Sequence, residues 1–171
     1  RLAQAARLGL TAAQVDYALT IAPDAHAPMP AQEEAGRMLL AAAESGDARG
    51  QFYYARWLRD SPAGPRDPAA AIPFLQRSAA AGEPEALHLL ATFYRDGTGV
   101  PRDLDKACEH YGRAAAENYP PAMFNLADLV RNSDGARAAQ LYSQLACMRD
   151  EHEISAMAIR RLHAMGQAAR C

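Results

Sequence analysis

The feature that most constrains this chain is a period. Arg59-Asp60, Arg95-Asp96 and Arg131-Asn132 recur at steps of 36 residues, and Arg66-Asp67 and Arg102-Asp103 follow the same step. Gly46, Gly82 and Asn118 keep it too. An alanine column runs Ala35, Ala71, Ala107 and Ala138, with its last step shortened to 31. The shortening falls where "GTGVPRDLD" contracts to "NSDG", so the deletion lies in a loop. A second column is Ala43, Ala79, Ala115 and Ala146, and a third is Ala18, Ala55, Ala91 and Ala127. Self-similarity at a fixed period is the signature of a solenoid, whose units bury their apolar faces against one another.

Each unit contains two helical patterns. "PEALHLLATFYRDG" places Leu87, Leu90, Ala91 and Tyr94 on one face, and "DLDKACEHYGRAAAENY" does the same with Ala107, Tyr111, Ala114 and Ala115. Asp103 suits the cap that opens the second helix. Gly82 and Asn118 suit its left-handed closure. Gly97, Gly99 and Pro101 suit the turn between the two helices. No stretch alternates in the manner of a strand. Alanines recur because small side chains let neighbouring helices approach closely, and larger residues there would force the layers apart.

The spacing predicts an all-α, right-handed α-α superhelix of helix-turn-helix repeats, as a single repeat domain over residues 1–171. A residual helix covers 1–8. Repeat units cover about 11–45, 48–81, 84–117 and 120–148, and a terminal helix and tail cover 152–171. First-type helices are expected near 11–22, 48–59, 84–95, 120–131 and 152–165, and second-type helices near 31–45, 68–81, 104–117 and 135–148. The proline-rich "PDAHAPMP" at 23–30 makes the first unit atypical. Degenerate end units are expected where one side must face water. The last helix carries Met157, Ile159, Leu162 and Met165, too much apolar surface for a free edge. Either the tail "GQAARC" folds over it or a second copy docks there.

The net charge of −2 gives neither the basic surface of a nucleic-acid binder nor an acidic tail. No apolar run is long enough to span a membrane. "RLAQAARLGL" has no initiator methionine and no signal-peptide core, and suggests a trimmed or mature chain. Three cysteines do not make a disulfide framework. Cys108 and Cys147 are expected as small buried apolar residues, with one bridge to Cys171 open to an exported chain.

Catalytic patterns are missing. His152-Glu153 lacks a second histidine at 156, where Ala156 stands. Cys108 and His110 fall on different faces of a helix, which suits no common metal site. "GTGVPR" lacks the strand and the glycines of a phosphate-binding loop. No serine sits in a nucleophile elbow. No catalytic, cofactor-binding or metal-binding residue is assigned, and the chain is expected not to be an enzyme.

The segment "ALHLLATFYRDGTGVPRDLDKACEHYGRAAAENY" resembles the Sel1-like repeat, a relative of the tetratricopeptide repeat. The matching residues are Ala86, Leu90, Tyr94, "GTGV" at 97–100, Asp103, Lys106-Ala107, Tyr111 and Ala114-Ala115. Ala91 replaces the usual glycine and His110 the usual tryptophan. In such solenoids the first helix of each unit lines a concave groove. The resemblance therefore implies three rows of groove residues. They are Val15, Phe52, His88 and Phe124; Leu19, Arg56, Thr92 and Asp128; and Ala22, Arg59, Arg95 and Arg131. Trp57 and Tyr53 lie off that stripe and are expected to pack between helices. The arginine row favours a partner protein with an acidic segment.

The resemblance also implies a non-catalytic protein-protein interaction scaffold. Bacterial relatives commonly act in the periplasm or cell envelope, as assembly factors or as immunity proteins for secreted toxins. A cytoplasmic location is the alternative. Two other readings compete: a hydrolase acting on cell-wall or β-lactam substrates, and a carbohydrate-binding adaptor. The first would want a Ser/Lys pair, but the only lysine is Lys106 and no serine lies one turn from it. The second would want a row of exposed aromatics, for which only Phe52 and Phe124 are candidates.

Overall fold

The computed structural model describes residues 1–148 and 150–169. Among these residues the chain is all helix and turn, without a strand. A short helix α1 (Leu2–Arg7) leads into first-type helices α2 (Thr11–Ile21), α4 (Ala48–Asp60), α6 (Pro84–Asp96), α8 (Pro120–Val130) and α10 (His152–Ala164). Between them run second-type helices α3 (Met29–Glu44), α5 (Pro68–Ala80), α7 (Leu104–Ala116) and α9 (Gly135–Ala146). Every helix end falls within two residues of the position expected from the period.

The ends are set by short side chains and by backbone handedness. Asp47, Asp67, Asp103 and Asp134 precede α4, α5, α7 and α9 and accept the backbone N–H of Gly50, Ala69, Lys106 and Arg137 at 2.6–3.0 Å. Gly46, Gly82 and Asn118 close α3, α5 and α7 with φ of 90°, 90° and 57°, so one column of the period is the left-handed stop signal. Gly99 also has positive φ, and a Cβ there would fall 2.8 Å from the Ala69 nitrogen. The loop of one unit thereby lies directly against the start of α5 in the unit before it.

Each helix packs against the next in sequence, and α2 also touches α4, as α8 touches α10. Packing of this kind passes stability from neighbour to neighbour. The columns through Ala18 and Ala35 are buried throughout, with no member more than 2 % exposed. The column through Ala43 is not: Ala115 and Ala146 are only half-buried. Full burial falls one residue earlier, at Ala42, Ser78, Ala114 and Leu145. There the helices touch closely, and a Cβ on Gly50 would lie 2.7 Å from that of Ala42. Buried Ser78 donates its hydroxyl to the Ala48 carbonyl at 2.7 Å, which satisfies its polar group.

The core is in two parts. Val15, Ala18, Ala35, Leu39 and Ala42 form one cluster, and the other runs from Phe52 to Leu162. Tyr53, Tyr54 and Trp57 pack against both. Trp57 stacks on Tyr54 and fits over Gly36, where a Cβ would stand 2.5 Å from its ring.

Leu162 is fully buried, while Met157 is exposed. Of the tail, residues 166–169 turn back: the Gln167 N–H donates to the Leu162 carbonyl, and Ala169 packs against the larger core. The rest of the tail lies outside the described residues. Cys108 is a half-buried free thiol. Cys147 departs from expectation. It occupies the C-cap of α9, where the chain has left the packed face, so it is exposed, and it is disulfide-bonded. The expectation for Cys171 falls outside the described residues. Among those residues no helix is long and apolar enough to cross a membrane.

Candidate functional site

The candidate site is the face formed by the first-type helices, because the period places equivalent side chains of successive units side by side. Its first row is mostly core. Val15 is fully buried, and Phe52 and Phe124 are each only 7 % exposed. Phe52 meets the Tyr53 ring and Phe124 the Tyr142 ring, both edge to face. His88, the third member after Val15 and Phe52, sits between the rings of Tyr111 and Tyr119 at 5.6 and 5.5 Å. Burial, followed by the nearby charge of Arg95, pushes its imidazole down to about 4. His88 is therefore neutral at pH 7, and the Asn125 amide nitrogen lies 2.8 Å from its Nε2.

In the second row the first-type helices meet tyrosines from the second-type helices. Thr92 Oγ1 donates to the His88 carbonyl and lies 2.9 Å from the Tyr111 hydroxyl. One unit later, Tyr142 donates to Asp128. Asp128 also receives Arg161 of α10 through Nε at 2.9 Å and Nη2 at 3.2 Å, and Arg131 approaches at 3.8 Å. Burial raises the Asp128 carboxyl, but the hydrogen bonds from Arg161 and Tyr142, with the charges of Arg161 and Arg131, outweigh it and hold the group low. One unit before Thr92 the pattern breaks. Leu75 stands where Tyr111 and Tyr142 stand, and Arg56 is exposed. Its guanidinium lies 5.9 Å from the ring centroids of both Phe52 and Tyr53. Among the described residues no carboxylate lies within ion-pairing distance of it.

The third row carries cations that are already engaged. Arg59 binds Asp60 through both Nε and Nη2, and Arg95 binds Asp96 in the same fork. Arg131 faces Asp128, while Ala22 begins the row without charge. The three arginines thus stand at repeated positions, each beside an aspartate of its own helix or cap.

Between α2 and α4 the face opens into a cleft of about 120 Å³. Ala18, Leu19, Ala22 and Leu39 give it apolar walls, and Tyr53, Arg56 and Trp57 stand on the α4 side. Gln32 holds this region together. Its amide N–H groups reach the carbonyls of Ala25 and Ala27 at 3.0 and 2.7 Å, and its amide oxygen accepts the Ser61 hydroxyl at 2.7 Å. Trp57 Nε1 donates to the Gln32 carbonyl at 2.9 Å. Trp57 and Tyr53 therefore pack between helices and also border open space.

Several of these parts were not among the sequence-derived candidates. Tyr111 and Tyr142 could have been found by the alanine method, since Leu39, Leu75, Tyr111 and Tyr142 keep the period. Gln32 and Arg161 carry no such signal, because both belong to end units that leave the pattern. Glu83, at the start of α6, is another. Burial, followed by a hydrogen bond with Glu85 and its charge, raises its carboxyl to about 7. Among the described residues, no three His, Cys, Asp or Glu side chains form a group that could hold a metal ion.

A helical-hairpin solenoid with a repeated first-helix face is a binding architecture. Its repeat matches the family model described as "Sel1 repeat" over residues 48–83, 84–119 and 120–150, and the chain belongs to that family. Two solved structures share the fold. One is c5321, a protective antigen present in uropathogenic Escherichia coli strains displaying an SLR fold, at TM-score 0.75 and 22 % identity. The other is a Sel1 repeat protein from Oxalobacter formigenes, at TM-score 0.76 and 21 % identity. They align over 97 % and 96 % of this chain, which spans only 40 % and 66 % of theirs. The shared architecture is the right-handed α-α superhelix. No curated protein matches the chain. Sel1 repeat proteins are generally protein-interaction scaffolds without catalytic activity.

Proposed function

We propose that this chain is a non-catalytic scaffold that receives a partner protein on its first-type helix face, in the periplasm or cell envelope. The observation that carries the reading is the stacking of repeated helices with their variable polar residues, Arg56, Thr92 and Asp128, at equivalent places on one face. Scaffolds of this kind keep the core constant and let such positions choose the partner. The disulfide at Cys147 supports an oxidising compartment, where such bonds persist. An envelope assembly factor and an immunity protein for a secreted toxin both fit that setting. Arg56, with no carboxylate in ion-pairing distance among the described residues, favours a partner with an acidic segment, since guanidinium groups pair with carboxylates through two bonds, and Arg59, Arg95 and Arg131 add to it by exchanging their own aspartates for the partner's.

The test is capture of a partner from an envelope extract of the source organism with the tagged protein. The double variant Arg95→Glu with Arg131→Glu should stay folded by circular dichroism and lose that partner. Reversal of Lys106 and Glu109 on α7, the other face, should retain it. The reading fails if nothing specific is captured, or if only the α7 variant loses binding.

A further inference from the structure

We infer that the cleft between α2 and α4 is a side-chain recognition pocket, taking one bulky apolar side chain of a partner segment whose next residue is acidic. The inference rests on the scaffold reading and names the chemistry that one part of the face selects.

Three independent features converge there. The first is space. The cleft lies where the two core clusters meet, and its walls are alanines and leucines together with the Trp57 ring. Apolar space of this order holds one compact hydrophobic group, and an engineered apolar cavity of about 150 Å³ takes up benzene. The second is preorganisation. Gln32 is only 3 % exposed and spends both ends of its amide on the 23–28 loop and Ser61. Gly36 leaves the Trp57 ring room to close against α3, and the indole N–H is fixed to the Gln32 carbonyl. The pocket walls are held before any partner arrives, so little ordering cost remains for binding.

The third feature is charge. Arg56 stands at the α4 side, laid against aromatic rings and without a carboxylate partner among the described residues. The nearby acid Asp60 is already forked by Arg59. Asp24, on the loop side, has among the described residues only the His26 backbone N–H and its exposed ring for company. The rim is thus positive at α4 and negative at the loop. An acidic residue in the partner fits only at the Arg56 end, where a bidentate pair can form over the desolvating rings. At the loop end a neutral or basic residue is favoured. The first unit departs from the repeat pattern in this region, where "PDAHAPMP" stands in place of the glycine-rich loop, and Pro23, Asp24 and Ala25 of that stretch line the pocket.

The experiment uses short synthetic peptides and the wild-type chain with methyl-labelled alanine and leucine. Peptides carry a central leucine followed by aspartate, alanine or lysine, and a fourth carries alanine followed by aspartate. Binding of the leucine-aspartate peptide should shift the methyl signals of Ala18, Leu19 and Ala22. It should be at least fivefold tighter than any of the other three. Arg56→Gln should erase the preference for aspartate, and Ala22→Phe should block the pocket. Equal affinity across the peptides, or shifts elsewhere on the chain, overturns the assignment. Its failure is separable from failure of the scaffold reading. If Ala22→Phe leaves capture of the natural partner intact while Arg95→Glu with Arg131→Glu abolishes it, the scaffold stands and the pocket does not.

Discussion

His88 provides a quantitative handle on the inner layer of the binding face. Its ring is enclosed by Tyr111 and Tyr119 and sits beside Asn125, and burial lowers its pKa from about 6.5 to about 4. The folded state therefore holds the neutral imidazole. The stability this contributes is complete above about pH 6.5 and is lost as the pH falls through 4. At 1.36 kcal/mol per unit the full loss is at most about 3 kcal/mol, and about 2 kcal/mol is gone by pH 5. For a domain of this size that is a fall in Tm of about 4–8 °C. The perturbation is His88→Gln, which keeps a polar group but removes the titration. The assay is thermal unfolding of both proteins at intervals between pH 7 and pH 4.5. The advantage of the wild type over the variant should shrink by roughly 2 kcal/mol between pH 7 and pH 5. Parallel curves would refute the reasoning, because they would mean that His88 is as easily protonated in the fold as in the unfolded chain.

Other substitutions test the packing and the remaining charges. Ala91→Leu should cost about 1–3 kcal/mol by overpacking, whereas Ala115→Leu, at a half-buried position, should cost clearly less; denaturant unfolding distinguishes them. Asp128→Asn should release Arg161 and raise amide exchange in α10, with a global loss of no more than about 1 kcal/mol because both side chains are partly in water. Glu83→Gln should stabilise the protein above pH 7 and lose that advantage below about pH 4.5. The folded pKa of Glu83 is raised to about 7, so the native state prefers the neutral acid and wild-type stability falls as the pH rises between those limits. Tm measured against pH for the variant and wild type reads this directly.

The helix boundaries were legible because repetition makes a weak signal strong. One aspartate before a helix is a modest cue, but Asp67 and Asp103 at the same step, with Gly46, Gly82 and Asn118 closing the helices, leave little room for another register. The alanine columns identified which positions touch, and erred by one residue at Ala115. On a helix the adjacent alanines of an "AAA" run look alike in sequence, and only the angle of the next helix decides which one is covered. The arginine row was visible as a period, but not the fork of Arg59 on Asp60 or of Arg95 on Asp96, since a neighbouring aspartate can turn towards the guanidinium or away from it. The cleft had no signal of its own. It arises from tertiary packing between Gln32, in the first unit that leaves the pattern, and Trp57, 25 positions on in the next unit.

The central claim is that the first-type helices carry the binding face, and site-specific photo-crosslinking in the source organism tests it most directly. A photoreactive amino acid would be placed at Arg56 or Arg95 on one face, and at Gln76 or Glu109 on the second-type helices, all of them positions with side-chain surface in solvent. The account predicts one discrete adduct from Arg56 and Arg95, with the same partner in each, and none from Gln76 or Glu109. Adducts that form only from Gln76 and Glu109 would contradict it and move the binding face to the opposite side of the solenoid.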